Sequence, residues 1–108
     1  MTYSVEVTRP AERDLLGIYS YISDTLKEPE TAARLYRALK QEILSLRSLP
    51  ERYAVLDEPP YNKEGVRKML VENYLVFYVI KDKTVYILRI LYNRREWQAI
   101  LSGDLPRF

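Results

Sequence analysis

The residues whose types could carry chemistry are Lys63, Arg67, Lys68, Glu72, Arg89, Tyr92, Arg94 and Arg95. The chain has no cysteine and no histidine. That excludes thiolate catalysis, an imidazole base and a Cys/His metal site, and leaves proton transfer to lysine, carboxylate or tyrosine. What this set does well is hold anions. Arg94 and Arg95 follow Asn93 at what reads as the start of a helix, with Glu96 completing a capping-box pattern. Cations in a first helical turn oppose the dipole by up to ~1 kcal/mol each, and local rules tend to be broken at functional sites. Two guanidiniums at a helix N-terminus would suit an anion. The plainer alternative is a surface pair of either arginine with Glu72 or Glu96.

Charge distribution points the same way. Residues 1–60 carry 8 Lys or Arg against 10 Asp or Glu, whereas residues 61–95 carry 8 against 3. The net +2 of the chain therefore hides a basic C-terminal half, which suits an anionic partner such as nucleic acid or an acidic protein. A solvated sheet edge guarded by Lys and Arg gives the same composition.

The elements that must position these residues are legible. At 108 residues with 47% hydrophobic and 30% charged side chains, the chain is sized for a single domain of a soluble, cytosolic protein. No apolar run reaches the roughly 18 residues of a membrane span, and no leader pattern precedes it. The centre is a β-hairpin, Asn73 to Ile80 and Thr84 to Tyr92, parted by Lys81-Asp82-Lys83. Its strands do not alternate, so both faces call for cover. Upstream, Thr2 to Thr8 alternates as a half-buried strand. A helix follows with Pro10 in its first turn and Leu15, Ile18, Tyr19, Ile22 and Leu26 on one face. Lys27-Glu28-Pro29 breaks it. A second helix then carries the stripe Ala32, Leu35, Leu39, Ile43 and Leu46, forming a helical hairpin with the first.

Leu49-Pro50 ends that helix, and Glu51 to Gly65 is a long connection, of a length that in compact domains is often functional. Val66 to Glu72 is a strand on which Arg67 and Lys68 must point to opposite faces. Asn93 to Leu101 is the last helix, anchored by Trp97 and stopped at Gly103. The order predicts an α+β fold, β-α-α-β-β-β-α, with the helical hairpin packed on a small, mainly antiparallel sheet. Tyr74, Tyr78 and Tyr86 read as sheet packing, and Arg89 within an apolar strand reads as a structural cation paired with a carboxylate.

The Val66-Arg67-Lys68 strand, Asn73-Tyr74-Leu75-Val76-Phe77-Tyr78 and the run from Val85 through Arg89 and Tyr92 to Trp97, in this order of elements, resemble the RelE/ParE superfamily of bacterial toxins. The resemblance extends over nearly the whole chain. It implies a type II toxin neutralised by a cognate antitoxin, and no cofactor, metal or membrane partner. The uncovered sheet face and helical hairpin expected of so short a chain agree with such a partner.

Two mechanisms divide the superfamily. RelE-like members cut mRNA on the ribosome, and ParE-like members poison DNA gyrase. Metal-independent RNA cleavage needs a base, an acid and cations on the phosphate. On that chemistry the candidate catalytic residues are Arg67, Lys68, Tyr92 and Arg95, and the candidate substrate-binding residues are Lys63, Arg89 and Arg94; the resemblance itself implies a role for Arg67 and for the basic residues Arg94 and Arg95. Lys63 or Lys68, lowered in pKa among arginines, or Glu72, would be the base. Leu91 stands where some relatives carry a histidine before the tyrosine. For a gyrase poison, Arg94, Arg95, Trp97 and the tail Asp104 to Phe108 would form the binding surface. Ribosome-dependent mRNA cleavage is the expectation, gyrase poisoning is the alternative, and an inactive antitoxin-binding relative is the third reading.

Overall fold

A computed structural model describes residues 2–93 and 96–103. The order is β1 (Ser4–Val7), α1 (Arg9–Ser20), a π-helical turn (Tyr21–Thr25), α2 (Pro29–Ser45), a 3₁₀ turn (Pro50–Arg52), α3 (Tyr61–Glu64), β2 (Arg67–Val71), β3 (Tyr74–Lys81), β4 (Thr84–Tyr92) and α4 (Trp97–Ser102). The strands form one sheet in the order β1-β4-β3-β2. β1 pairs parallel with β4, and the other two pairings are antiparallel. This is the expected α+β arrangement.

The central hairpin turns through Asp82 and Lys83, whose φ values of 49° and 64° are both positive. With Lys81 opposite Thr84, this is a two-residue loop of the I′ kind, which matches the twist of the strands it joins. β4 carries one extra residue: Phe77 faces Arg89 while Tyr78 faces Ile87, leaving Leu88 as a bulge. The bulge is one reason the strand's apolar pattern does not alternate. It also falls where β1 ends, since Val7 is opposite Ile87.

Beyond that point the open edge of β4 is satisfied from α1. Thr8 donates its hydroxyl to the carbonyl oxygens of Ile87 (2.7 Å) and Leu88 (3.2 Å) while accepting from the Ala11 N–H as the N-cap of α1. Asp14, one turn and a half further on, accepts the Ile90 N–H at 2.9 Å. The helix thus completes the backbone pairing that a longer β1 would have supplied.

Both sheet faces are covered. On one face Val76, Tyr78, Ile87 and Ile90 pack against Leu15, Leu39 and Ile43 of the helices. On the other, Leu75, Phe77, Val79 and Leu91 pack beneath Tyr61, Trp97 and Leu101. The expected bare second face is therefore absent, because the long connection and the last helix fold back over it. That connection is partly ordered: Val55 bridges Arg67, and the Tyr61 hydroxyl donates to the Gln98 carbonyl at 2.6 Å.

Two boundaries differ from expectation. α1 gives way to a π turn at Tyr21, and Tyr19 and Leu26 are exposed rather than on the buried face. The last helix begins at Trp97, not Asn93. Asn93 instead donates its N–H to the Asn73 carbonyl at 2.9 Å, extending the hairpin, and Glu96 occupies the N-cap without a side-chain bond. The capping box falls with it, and the helix-dipole reading of Arg94 and Arg95 lies outside the described residues. Among the described residues, no helix is long and apolar enough to cross a membrane.

Candidate functional site

Arg67 opens β2, opposite Tyr78 of β3. Its Nη1 donates to the main-chain oxygens of Tyr53 (2.6 Å) and Glu51 (3.1 Å). Beside it the Tyr78 hydroxyl, fully buried, donates to the Pro50 carbonyl at 2.7 Å. Burial pushes that phenol up to about 12, with the nearby Arg67 and Arg52 charges pulling the other way. Arg67 and Tyr78 together fasten the loop after α2 to the sheet. Arg67 is a cation spent on carbonyl groups.

Lys68 points to the opposite face, as the strand period requires. Its ammonium lies 5.3 Å from the centre of the Trp97 ring, a cation–π arrangement. Trp97 in turn packs against Phe77 and Tyr61, at centroid distances of 5.1 Å and 6.0 Å. Trp97 anchors the last helix, as expected. Lys63 is exposed on α3.

Arg89 makes a forked pair with Asp14: Nε to Oδ2 at 2.7 Å and Nη2 to Oδ1 at 2.9 Å. The side chains are only 18% and 13% exposed. This is the structural cation anticipated from the apolar strand, and Asp14 is the carboxylate the sequence could not name. Glu72, considered above as a base, is held by Arg34 through two bonds of 2.8 Å and 3.2 Å. The hydrogen bond from Arg34 draws its carboxyl below the usual range.

Tyr92 stands at the other end of the sheet from Arg67. Register places Tyr92 opposite Tyr74, and Arg67 opposite Tyr78. Four residues along β3 and two strands across, at ~3.3 Å and ~4.8 Å per step, separate them by roughly 16 Å. That is the spacing of their backbones, and the Arg67 guanidinium is held by the Tyr53 and Glu51 carbonyls. Arg94, Arg95 and the tail Asp104 to Phe108 lie outside the described residues. The structure thus brings none of Arg67, Lys68, Arg89 and Tyr92 onto one point.

Sequence reasoning missed a cleft of about 680 Å³ between α1, the π turn and the end of the hairpin. Tyr21, Tyr74 and Tyr92 line it together with Ile18, Leu26 and Gly17. Tyr74 and Tyr92 meet edge to face at 5.5 Å. The Tyr74 phenol is raised first by burial and then by Tyr92 and Tyr21. One sequence signal and one structural feature mark the place. Gly17 sits mid-helix, where glycine costs about 1 kcal/mol relative to alanine, and a Cβ there would meet nothing within 4 Å. The π turn that follows is a form frequent at functional sites. The cleft has the size and mixed lining of a recognition pocket.

Comparison with known proteins follows this geometry. The family model described as the ParE toxin of type II toxin–antitoxin systems, parDE, matches residues 5–97. A chain of the chromosomal ParDE toxin–antitoxin system of P. aeruginosa is 26% identical, with a TM-score of 0.70 over 84% of this chain and 96% of that one. A chain of the RelBE2 toxin–antitoxin complex of Mycobacterium tuberculosis is 24% identical, with a TM-score of 0.65 over 85% and 99%. A mutant E. coli toxin RelE in the free state is 14% identical, with a TM-score of 0.57 over 97% and 95%. No curated protein sequence matches the chain.

Proposed function

Because this chain belongs to the ParE family of type II toxin–antitoxin toxins, we propose that it arrests growth by binding DNA gyrase, without cutting RNA, and that a cognate antitoxin neutralises it. The observation that carries this reading is the dispersal of the described candidate catalytic and substrate-binding residues. Arg67 is engaged by main-chain oxygens, Arg89 by Asp14 and Lys68 by the Trp97 ring, while Tyr92 lies across the sheet from Arg67. Phosphoryl cleavage without a metal rests on several groups converging within about 3 Å of the reacting atoms. A poison needs only a surface, and arginines and aromatics make good ones. The ParE family model and the ParDE relative of P. aeruginosa agree with that choice.

The test sets two assays side by side with the purified chain, with and without its antitoxin. Gyrase supercoiling should fail and cleaved DNA accumulate, and the antitoxin should reverse both. In a purified translation reaction, primer extension on a defined mRNA should show no new breaks. Ribosome-dependent breaks that fade in a folded Arg67→Ala variant would overturn the proposal in favour of mRNA cleavage. Silence in both assays, with antitoxin still bound, would identify an inactive relative.

A further inference from the structure

The solvent face of α2 is cationic, although residues 1–60 as a whole hold more carboxylates than cations. Ala32, Leu35, Leu39 and Ile43 turn inward. At 3.6 residues per turn the opposite side carries Arg34, Arg37, Lys40, Gln41 and Leu44, with Arg47 just past the helix end. From Ala33 to Arg47 that face holds no carboxylate. Glu42 lies on the flank, and Glu30 precedes the stripe by one turn. Glu12 of α1 lines an adjoining cleft with Lys40 without pairing it. Arg34 is taken by Glu72. Among the described residues, Arg37, Lys40 and Arg47 have no ion-pair partner, and all are exposed. The Lys40 ammonium is steadied 5.7 Å above the Tyr36 ring.

We propose that this face binds the phosphate backbone of duplex DNA without regard to sequence. Arg37 to Arg47 spans ten residues, roughly 15 Å at the helical rise, a length over which one DNA strand presents about four phosphates. A shallow groove lined by Arg37, Lys40, Gln41, Leu44 and Arg47 runs along the face, which contributes no carboxylate to repel them. An acidic protein helix is the poorer fit. Such partners seat several apolar anchors at helical spacing, and this face offers Leu44, 49% exposed, beside a half-buried Tyr36 already covered by the Lys40 ammonium. The contact is independent of the gyrase assignment, since it is made with DNA alone. If gyrase is the target, it would let the toxin hold enzyme and DNA together.

The test is fluorescence anisotropy of a labelled duplex of arbitrary sequence, ~20 base pairs long, titrated with the full chain from about 50 mM to about 200 mM salt. Two variants change charge equally: Arg37→Glu with Lys40→Glu on the stripe, and Lys81→Glu with Lys83→Glu on the hairpin turn. Circular dichroism checks that both are folded. The wild type should bind with affinity falling linearly in log salt, with a slope near 0.9 for each cation engaged. The stripe variant should lose at least about tenfold and lower the slope by about two, and the turn variant should lose less than about threefold. No binding at the lowest salt, or equal losses in both variants, would overturn the proposal. Poly-L-glutamate captured where duplex is not would overturn it as well and assign the face to an acidic protein.

Discussion

Asp14→Ala should be the most damaging single substitution among the charged residues described. One carboxylate does three things: it accepts Arg89 through both oxygens and also accepts the Ile90 N–H at 2.9 Å. Removing one partner of a buried ion pair costs about 3–5 kcal/mol, chiefly by stranding the other charge. Arg89 is 18% exposed, so water relieves part of this and the lower figure, about 3 kcal/mol, applies. Against a typical total of about 5–15 kcal/mol, that is a large share. At roughly 4–6 °C per kcal/mol for a domain of this size, the midpoint should fall by roughly 12–18 °C. Thermal and urea unfolding followed by circular dichroism would measure it. Arg34→Ala is the internal control. Its pair with Glu72 is 56% and 41% exposed and should cost less than about 1 kcal/mol. Asp14→Leu combined with Arg89→Leu removes both charges and should recover most of the loss, leaving about 1 kcal/mol for the unpaired Ile90 amide. If Asp14→Ala cost no more than Arg34→Ala, the claim that α1 holds the open edge of β4 through this carboxylate would be wrong.

Three further outcomes are expected. Lys83→Gly should stabilise by about 0.5–1 kcal/mol in urea unfolding, because Lys83 sits at φ 64° in a turn that favours glycine. Tyr78→Phe should cost about 1–2 kcal/mol by leaving the Pro50 carbonyl without its donor. The pH dependence of Tyr78 has a definite sign: its folded pKa of about 12 lies above the ordinary 10.0. The stability it contributes is whole below pH ~10 and is lost as pH rises through ~12, by up to about 2–3 kcal/mol. The phenylalanine variant should show a shallower alkaline limb. Arg67→Ala should lower stability by about 1–2 kcal/mol while leaving gyrase inhibition in place at temperatures where it is folded. Lost inhibition with unchanged stability would mark Arg67 as a contact residue instead.

The elements were legible because their patterns are local. The apolar stripe of α2, the proline at the start of α1 and the two runs of the hairpin each follow a periodicity that only one secondary structure satisfies. Even the opposed directions of Arg67 and Lys68 follow from the strand period alone. The start of the last helix was misread for an equally physical reason. Asn93-x-x-Glu96 fits a capping box, but a longer-range bond, Asn93 to the Asn73 carbonyl, competes for the same residue and wins. Part of the cover on the second sheet face was invisible because Tyr61 supplies it from a connection with no periodicity to read, whereas Trp97 of the last helix was legible as an anchor.

The site was harder, since a cation's role depends on which group lies opposite it, and that group is usually distant in sequence. Arg89 meets Asp14 across 75 residues, and Arg34 meets Glu72 across 38. No spacing rule encodes either pair. The same distance effect inverts the charge argument. Counting along the chain places the positive charge in residues 61–95, yet there Arg67 and Arg89 are drawn onto carbonyls and a carboxylate of the fold. In the acidic half, Asp14 is consumed inside the structure, and Arg37, Lys40 and Arg47 are left facing solvent together. Net charge by segment measures what the chain owns. What a partner feels is the remainder after folding has paired charges internally, and among the described residues Arg37, Lys40 and Arg47 bring part of that remainder together on α2 and just past its end.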